Sequence, residues 1–355
     1  MKKTKKTNVF FLGLIVFYLF FSFYGIAFIP ERFMSANMSI IIGQSMIAVP
    51  TLIYVIGTKG SVLRDVPFRR IGLLNIFLLF ILTYCMLPVV SLLNSITMMF
   101  AENHVAGQLD SMNSNPFLLN IFLVAVLPAF LEELTFRGIL FGGYRKSGVI
   151  KAAFASGLLF GLFHMNITQF CYAFFMGIVF AMLREATGTI HASMIVHFIF
   201  NANSVVMLKI LDIFRKYVNK MAAKDEEYRQ LADQLNQAAA ETATSYADYS
   251  LVEKLQVIFS LGFMAVGGTV IGVLVFWAIK VRCQKQMERE QMRIMQSVQT
   301  GNRPMMPMRR NSYGVIPESM KLKNQVQGED EKVVDCIFVL GIIVCVLMMI
   351  YVAIV

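Results

Sequence analysis

Long uncharged apolar runs dominate the pattern of hydrophobic and polar positions along the chain. A run of about 20 apolar residues is long enough to cross a ~30 Å hydrocarbon core as an α-helix. Nine segments have this character, at about 8–30, 36–57, 71–98, 116–144, 152–165, 168–186, 189–211, 255–280 and 333–355. The pattern therefore predicts an all-α polytopic membrane protein with about nine transmembrane helices, of which the fifth is short.

A polar segment separates the seventh and eighth apolar runs. Residues 212–252 carry Tyr228, Leu231 and Leu235 at helical spacing amid charged and amide side chains. This spacing predicts an extramembrane helix or helical hairpin. The segment serves either as a solvated connector or as a surface that recruits a substrate or partner.

A second polar segment precedes the last apolar run. Its first part carries regularly spaced basic residues, which predicts a continuation of the eighth helix, and it becomes irregular around Pro304 and Pro307. Lys and Arg near a cytoplasmic membrane surface attract anionic lipid. We interpret this second segment as a basic cytoplasmic loop.

These segments divide the chain into six parts. They are three N-terminal transmembrane helices (1–115), a core of helices 4 to 7 (116–211), the extramembrane insert (212–252), transmembrane helix 8 (253–281), the basic loop (282–332) and a C-terminal transmembrane helix (333–355).

The composition excludes a water-soluble globular protein. Apolar residues make up 57% of the chain and charged residues only 15%, against about 25% charged residues in soluble domains. Most of the 32 Lys and Arg residues fall on one side of the nine alternating spans. Because cytoplasmic loops retain basic residues, we expect a multi-pass protein of the cell membrane, with a cytoplasmic N-terminus and an extracytoplasmic C-terminus.

The same one-sided charge distribution narrows the choice of partners. A nucleic-acid partner would call for a basic groove with stacking aromatic residues, so the lipid bilayer is the partner that the pattern indicates. The five cysteines include no CxxC pair. Neither a disulfide framework nor a thiolate zinc site is therefore indicated.

Several ionisable and polar residues fall inside predicted spans. A charged side chain at the centre of a spanning helix costs ~2.5–3.5 kcal/mol, so such residues are functional candidates. The fourth span carries Glu132, Glu133 and Arg137, the fifth carries His164, and the seventh carries His197 and Asn201.

Helix geometry separates these candidates by role. Glu133 and Arg137 are four residues apart and share one face, which predicts a structural ion pair. Glu132 then points about 100° away from that pair. Phe160 lies one helical turn before His164 and is placed to support the imidazole ring.

The depth of the remaining candidates predicts a single site. His197 and Asn201 are four residues apart and project from one helix face. At a rise of ~1.5 Å per residue, Glu132, His164, His197 and Asn201 lie ~14–20 Å from the inner boundaries of their spans. Four polar side chains from three spans thus converge near the middle of the membrane.

These residues form three short motifs in a fixed order. The motifs are EExxxR at Glu132, Glu133 and Arg137, FxxxH at Phe160 and His164, and HxxxN at His197 and Asn201. In this order, on the fourth, fifth and seventh spans, they resemble the CPBP or Abi family of membrane proteases, which includes the type II CAAX prenyl endopeptidase. The resemblance covers about residues 116–211, and Phe-Arg-Gly at 136–138 is more similar to the bacterial branch.

The resemblance implies a helical fold with a cytosol-open cavity and cleavage of a peptide or protein substrate in or at the membrane. Within that framework we assign Glu132 as the general base for a water that His164 also holds. His197 and Asn201 would donate hydrogen bonds to the oxyanion. This interpretation requires no cofactor.

Three alternatives differ from this mechanism. In the first, Glu132, Glu133, His164 and His197 bind a zinc ion that activates the water. In the second, the polar cluster is structural and the protein is a non-catalytic membrane scaffold or bacteriocin-immunity-type factor. In the third, the cluster is the midplane site of a transporter.

Overall fold

The computed structural model describes residues 3–101, 115–241, 249–299 and 332–354, and the regular structure in these ranges is helical. The main helices are α1 (Lys3–Phe20), α2 (Ala36–Gly57), α3 (Leu73–Thr97), α4 (Phe117–Ser147), α5 (Val149–Phe163), α6 (Ile167–Thr187), α7 (His191–Ala222), α8 (Glu227–Glu241), α9 (Leu251–Gln299) and α10 (Cys336–Ile354). Short helical segments lie at Phe21–Gly25, Ile26–Phe28, Glu31–Phe33 and Ser61–Arg64.

Helices long and apolar enough to cross a membrane number eight within the described ranges. They include all the predicted spans except the fifth, which forms the 15-residue helix α5. The predicted all-α polytopic fold is confirmed. A hydrogen bond from Thr97 at the end of α3 to the carbonyl of Thr168, 3.2 Å, places the start of α6 beside the end of α3.

Local sequence signals set several helix ends. The Ser35 side chain accepts a hydrogen bond from the backbone of Met38 and begins α2. The Asn166 side chain likewise accepts from two backbone N–H groups at the start of α6, and Gly188 ends that helix in a left-handed conformation with φ of 65°. Side-chain acceptors at N-termini and glycine at C-termini satisfy the unpaired backbone groups of helix ends.

Helix α4 alternates between α-helical and π-helical turns. Its π-helical segments are Phe122–Val126 and Glu133–Phe141, and the α-helical segment Leu127–Glu132 lies between them. A π-helical turn holds more than the 3.6 residues of an α-helical turn, and such turns are frequent at functional sites. The switch falls between Glu132 and Glu133.

Glycines allow α5 and α6 to pack closely. A Cβ atom on Gly161 would lie 2.9 Å from the backbone oxygen of Phe170. A Cβ atom on Gly177 would lie 2.7 Å from the Cα of Gly157. Gly157 and Gly161 form a GxxxG spacing, which permits close contact between membrane helices. This contact fixes the end of α5, where His164 lies.

Hydrogen bonds connect the C-terminal end of α4 to α1 and to the start of α10. The hydroxyl of Tyr144 donates to Asn8 Oδ1 at 2.7 Å. Asn8 Nδ2 in turn donates to the carbonyl of Val333 and to Asp335 Oδ1 just before α10. These buried hydrogen bonds join α1, α4 and α10 at one place.

Helices α7 and α9 extend beyond their apolar runs. Helix α7 continues beyond residue 211 to Ala222, and α8 packs back against it through paired amides of Asn219 and Asn236. Helix α9 continues as a basic helix to Gln299. Both extensions are amphipathic or charged, and the continuation of α9 agrees with the regular spacing of its basic residues. The irregular segment predicted around Pro304 lies outside the described residues.

Candidate active site

Glu132 lies at the end of the α-helical segment of α4 and is 8% exposed. Its Oε1 accepts a hydrogen bond from Gln44 Nε2 on α2 at 2.9 Å. Its Oε2 lies 3.9 Å from His197 Nε2 on α7. The carboxylate is therefore placed between two helices that are distant in sequence from α4.

Glu133 and Arg137 form the ion pair that their spacing predicts. Arg137 Nη1 lies 2.9 Å from Glu133 Oε1, and both side chains are fully buried. The guanidinium carbon lies 4.1 Å from the ring centroid of Phe160 and 5.0 Å from that of Phe180. The two aromatic faces attract the cation by their π-electrons. Phe160 thus contacts Arg137 as well as the histidine that it was predicted to support.

His164 follows the last residue of α5. Its Nδ1 lies 2.8 Å from the carbonyl oxygen of Phe160, and the two rings meet edge to face at 4.9 Å. Because a carbonyl oxygen only accepts, Nδ1 carries the proton, and Nε2 of the neutral ring is an acceptor. The next residue, Met165, has a φ of 50°, which is uncommon outside glycine and turns the chain sharply into α6.

His197 contacts both consecutive glutamates of α4. Its Nδ1 lies 3.1 Å from Glu133 Oε1, while its Nε2 faces Glu132. The ring stacks on Phe180 at 5.1 Å between centroids. Consecutive residues of a regular α-helix point about 100° apart, so the prediction separated the two glutamates, whereas one imidazole meets both.

Asn201 lies one helical turn after His197 and contacts the first π-helical segment of α4, Phe122–Val126. Its Nδ2 donates to the carbonyl of Val124 at 3.1 Å. Pro128, four residues after Val124, has no N–H, so that carbonyl lacks its α-helical donor. Asn201 thus donates from α7 to a carbonyl that Pro128 cannot reach with a hydrogen bond. Since a carboxamide nitrogen has two N–H groups, one remains for another acceptor.

Sequence reasoning missed three residues of this cluster. Gln44 lies in an apolar span that carries no motif, and Phe180 is one of many apolar residues in its span. Arg184 on α6 is also fully buried and donates to the backbone carbonyl of Arg137. The available signal was the same for Gln44 and Arg184, namely a polar side chain within an apolar span.

The zinc alternative assigns Glu132, Glu133, His164 and His197 as ligands of one metal ion. Within the described ranges, no three or more His, Cys, Asp or Glu side chains are gathered so as to hold a metal ion. Glu133 is already engaged by Arg137 and His197. The zinc alternative would require these side chains to rearrange.

Residues 114–203 match the model of a protein family described as type II CAAX prenyl endopeptidase Rce1-like. This match confirms the resemblance to the CPBP family. All seven residues of the three CPBP motifs lie within the matched range, whereas Gln44 lies outside it.

A bacterial relative agrees with the CPBP match. The chain is 28% identical over 117 residues to YdiL of Bacillus subtilis (strain 168), described as a "Putative membrane peptidase". The alignment covers 33% of this chain and 46% of the relative, so it spans less than half of that protein. No solved structure matches the chain.

Proposed function

We propose that this protein is an intramembrane endopeptidase that cleaves a peptide or protein substrate in or at the membrane with a glutamate-activated water. One observation carries the proposal. The buried carboxylate of Glu132 on α4 directs its Oε2 towards the imidazole of His197 on α7. Among the described residues, no donor lies within 3.5 Å of this Oε2, whereas Oε1 accepts from Gln44. This oxygen is free to accept a proton.

Glu132 acts first as a base and then as an acid. Its Oε2 takes a proton from the water as the water oxygen bonds to the carbonyl carbon of the substrate. The carbonyl π-electrons move to oxygen and form the tetrahedral oxyanion. When the C–N bond breaks, Glu132 returns the proton to the leaving amine. His164 Nε2 accepts the other water hydrogen and orients the nucleophile.

His197 and Asn201 stabilise the oxyanion. Because Glu133 accepts from His197 Nδ1, Nε2 carries a proton only when the ring is an imidazolium. In that form His197 Nε2 is one of the two donors to the oxyanion. The second N–H of Asn201 is the other donor.

The proposal includes a location and a mode of action. The protein is a multi-pass membrane protein, and we propose that it lies in the cell membrane with a cytoplasmic N-terminus and an extracytoplasmic C-terminus. Catalysis proceeds without a metal ion. Glu132, His197 and Asn201 lie on helices that can span the membrane, so the substrate is a peptide or protein in or at the membrane.

A peptide-cleavage assay tests the proposed function. Purified protein in detergent or vesicles is incubated with a broad library of quenched fluorescent peptides, some of them lipidated. We expect wild type to cleave a subset and Glu132→Gln to cleave none. Glu185→Gln is a matched control because Glu185 is not one of the proposed catalytic residues. Its carboxylate pairs with Arg145, at 2.7 Å between Oε2 and Nε. No cleavage by wild type, with an unchanged cellular phenotype in Glu132→Gln, would favour the scaffold alternative.

A further inference from the structure

Gln44 is the only contact from α2 to the carboxylate of Glu132 at hydrogen-bond distance among the described residues. Its Nε2 lies 2.9 Å from Glu132 Oε1. Gln44 lies outside residues 114–203, the range that carries the family motifs. The contact therefore joins the proposed base to a part of the chain that no motif covers.

Three polar residues of α2 face the segment that includes α4. Asn37, Gln44 and Thr51 are spaced seven residues apart and so share one helix face. Asn37 exchanges two amide hydrogen bonds with Asn115, at 3.2 and 2.7 Å. The Thr51 hydroxyl lies 2.9 Å from the hydroxyl of Thr135.

The outer two contacts of this face differ from the central one. Asn37 and Asn115 satisfy each other, and the two threonines form a neutral pair. Gln44 instead donates to a carboxylate, and its Oε1 is buried with no hydrogen-bond partner within the described part of the chain. A buried acceptor without a hydrogen-bond partner costs free energy. This oxygen can accept a hydrogen bond from a water or a substrate N–H.

The orientation of the carboxamide follows from its partner. A carboxylate only accepts hydrogen bonds, so the nitrogen of Gln44, not its oxygen, faces Glu132. Oε1 of Glu132 is thereby engaged, and Oε2 is the oxygen that remains for proton transfer. A charge-assisted hydrogen bond of this kind also fixes the rotation of the carboxylate.

We propose that Gln44 is a positioning residue for the proposed base: it engages Oε1 of Glu132 so that Oε2 faces the reacting water. This inference rests on the proposed function. It extends the site from α4, α5 and α7 to α2. It also assigns different roles to the two oxygens of one carboxylate.

Kinetics of two matched variants test the inference. Gln44→Met keeps the length of the side chain and removes the donor. Thr51→Val removes another hydrogen bond between the same two helices and leaves Glu132 untouched. We expect Gln44→Met to lower kcat by about 10- to 100-fold, the range for loss of a hydrogen bond to a charged group, with KM within twofold of wild type. Thr51→Val should keep kcat near the wild-type value.

An infrared measurement adds a readout that does not depend on turnover. The carboxylate band of Glu132 is identified by its loss in Glu132→Gln. It should shift in Gln44→Met and keep its position in Thr51→Val. If Gln44→Met does not accumulate, Gln44→Asn replaces it in both measurements. The shorter side chain withdraws the carboxamide by one methylene, so kcat should again fall and the band should again shift.

The outcomes separate the inference from the proposed function. Equal losses of kcat and of thermal stability in Gln44→Met and Thr51→Val, with the band unshifted, would show that Gln44 only joins two helices. An active wild type with an unaffected Gln44→Met would overturn this inference alone. An inactive wild type would contradict the proposed function itself.

Discussion

His197 Nδ1 lies 3.1 Å from Glu133 Oε1, and this contact joins the structural ion pair to the proposed catalytic residues. The spacing of Glu133 and Arg137 predicts their pairing but not this third partner. Through it, the ion pair fixes the ring orientation of His197 and determines which nitrogen faces Glu132. Disruption of the pair should therefore affect both folding and turnover.

The buried ion pair gives the first prediction. Glu133→Ala and Arg137→Ala should each lower stability by about 3–5 kcal/mol, because each leaves the other charge buried and unpaired. The amount of folded protein and its melting in detergent measure the effect. The double variant should lose less than the sum of the two single losses. Two single variants as stable as wild type would show that the pair is not structural.

The close contact of α5 and α6 gives the second prediction. Gly161→Ala should lower the amount of folded protein, because its Cβ would lie 2.9 Å from the backbone oxygen of Phe170. Gly267→Ala on α9 is the matched control, since no heavy atom lies within 4 Å of a Cβ there. Overpacking of this kind typically costs about 1–3 kcal/mol. Equal melting of the two variants would contradict the described packing.

Asn201 gives the third prediction. Asn201→Ala should lower kcat by about 10²–10³-fold, the usual loss for one oxyanion donor, with little change in KM because the donor acts in the transition state. Asn203→Ala is the control, since Asn203 only accepts from the Tyr84 hydroxyl at 3.3 Å among the described residues. A rise in KM at constant kcat would instead assign Asn201 to substrate binding.

His164 gives the fourth prediction. His164→Ala should abolish peptide cleavage while the protein still inserts and accumulates, because its side chain hydrogen-bonds only the Phe160 carbonyl within the described residues. His191→Ala is a matched control, since His191 Nδ1 likewise contacts a backbone carbonyl, that of Arg69, at 2.7 Å. Activity of His164→Ala equal to wild type would remove His164 from the mechanism.

The sequence predicted the helices and the motif residues because both signals are local. Apolar run length predicted the spans, and four-residue spacing predicted the Glu133 and Arg137 pair. The contact of Gln44 with Glu132 could not be predicted in this way, because it depends on which spans pack together. The change from α- to π-helix after Glu132 left no local signal, yet it accompanies the approach of both glutamates to His197.

The ends of the long helices also depend on more than the local apolar pattern. The seventh apolar run ends at about 211, and α7 continues to Ala222 as an amphipathic extension that packs against α8, in line with the helical hairpin predicted for residues 212–252. Apolar runs report where a helix can lie in lipid, and not where its backbone hydrogen bonding stops. The GxxxG spacing at Gly157 and Gly161 was a readable signal for the α5 and α6 contact.

The most direct test of the central claim measures cleavage by purified wild type and Glu132→Gln before and after strong chelation, together with a metal count on the protein. Wild type should keep its activity through chelation and contain less than stoichiometric metal. Glu132→Gln should lose at least about 10²–10⁴-fold in kcat, the contribution of general acid–base catalysis. Stoichiometric zinc, with activity lost to chelator and restored by Zn²⁺, would contradict the glutamate mechanism.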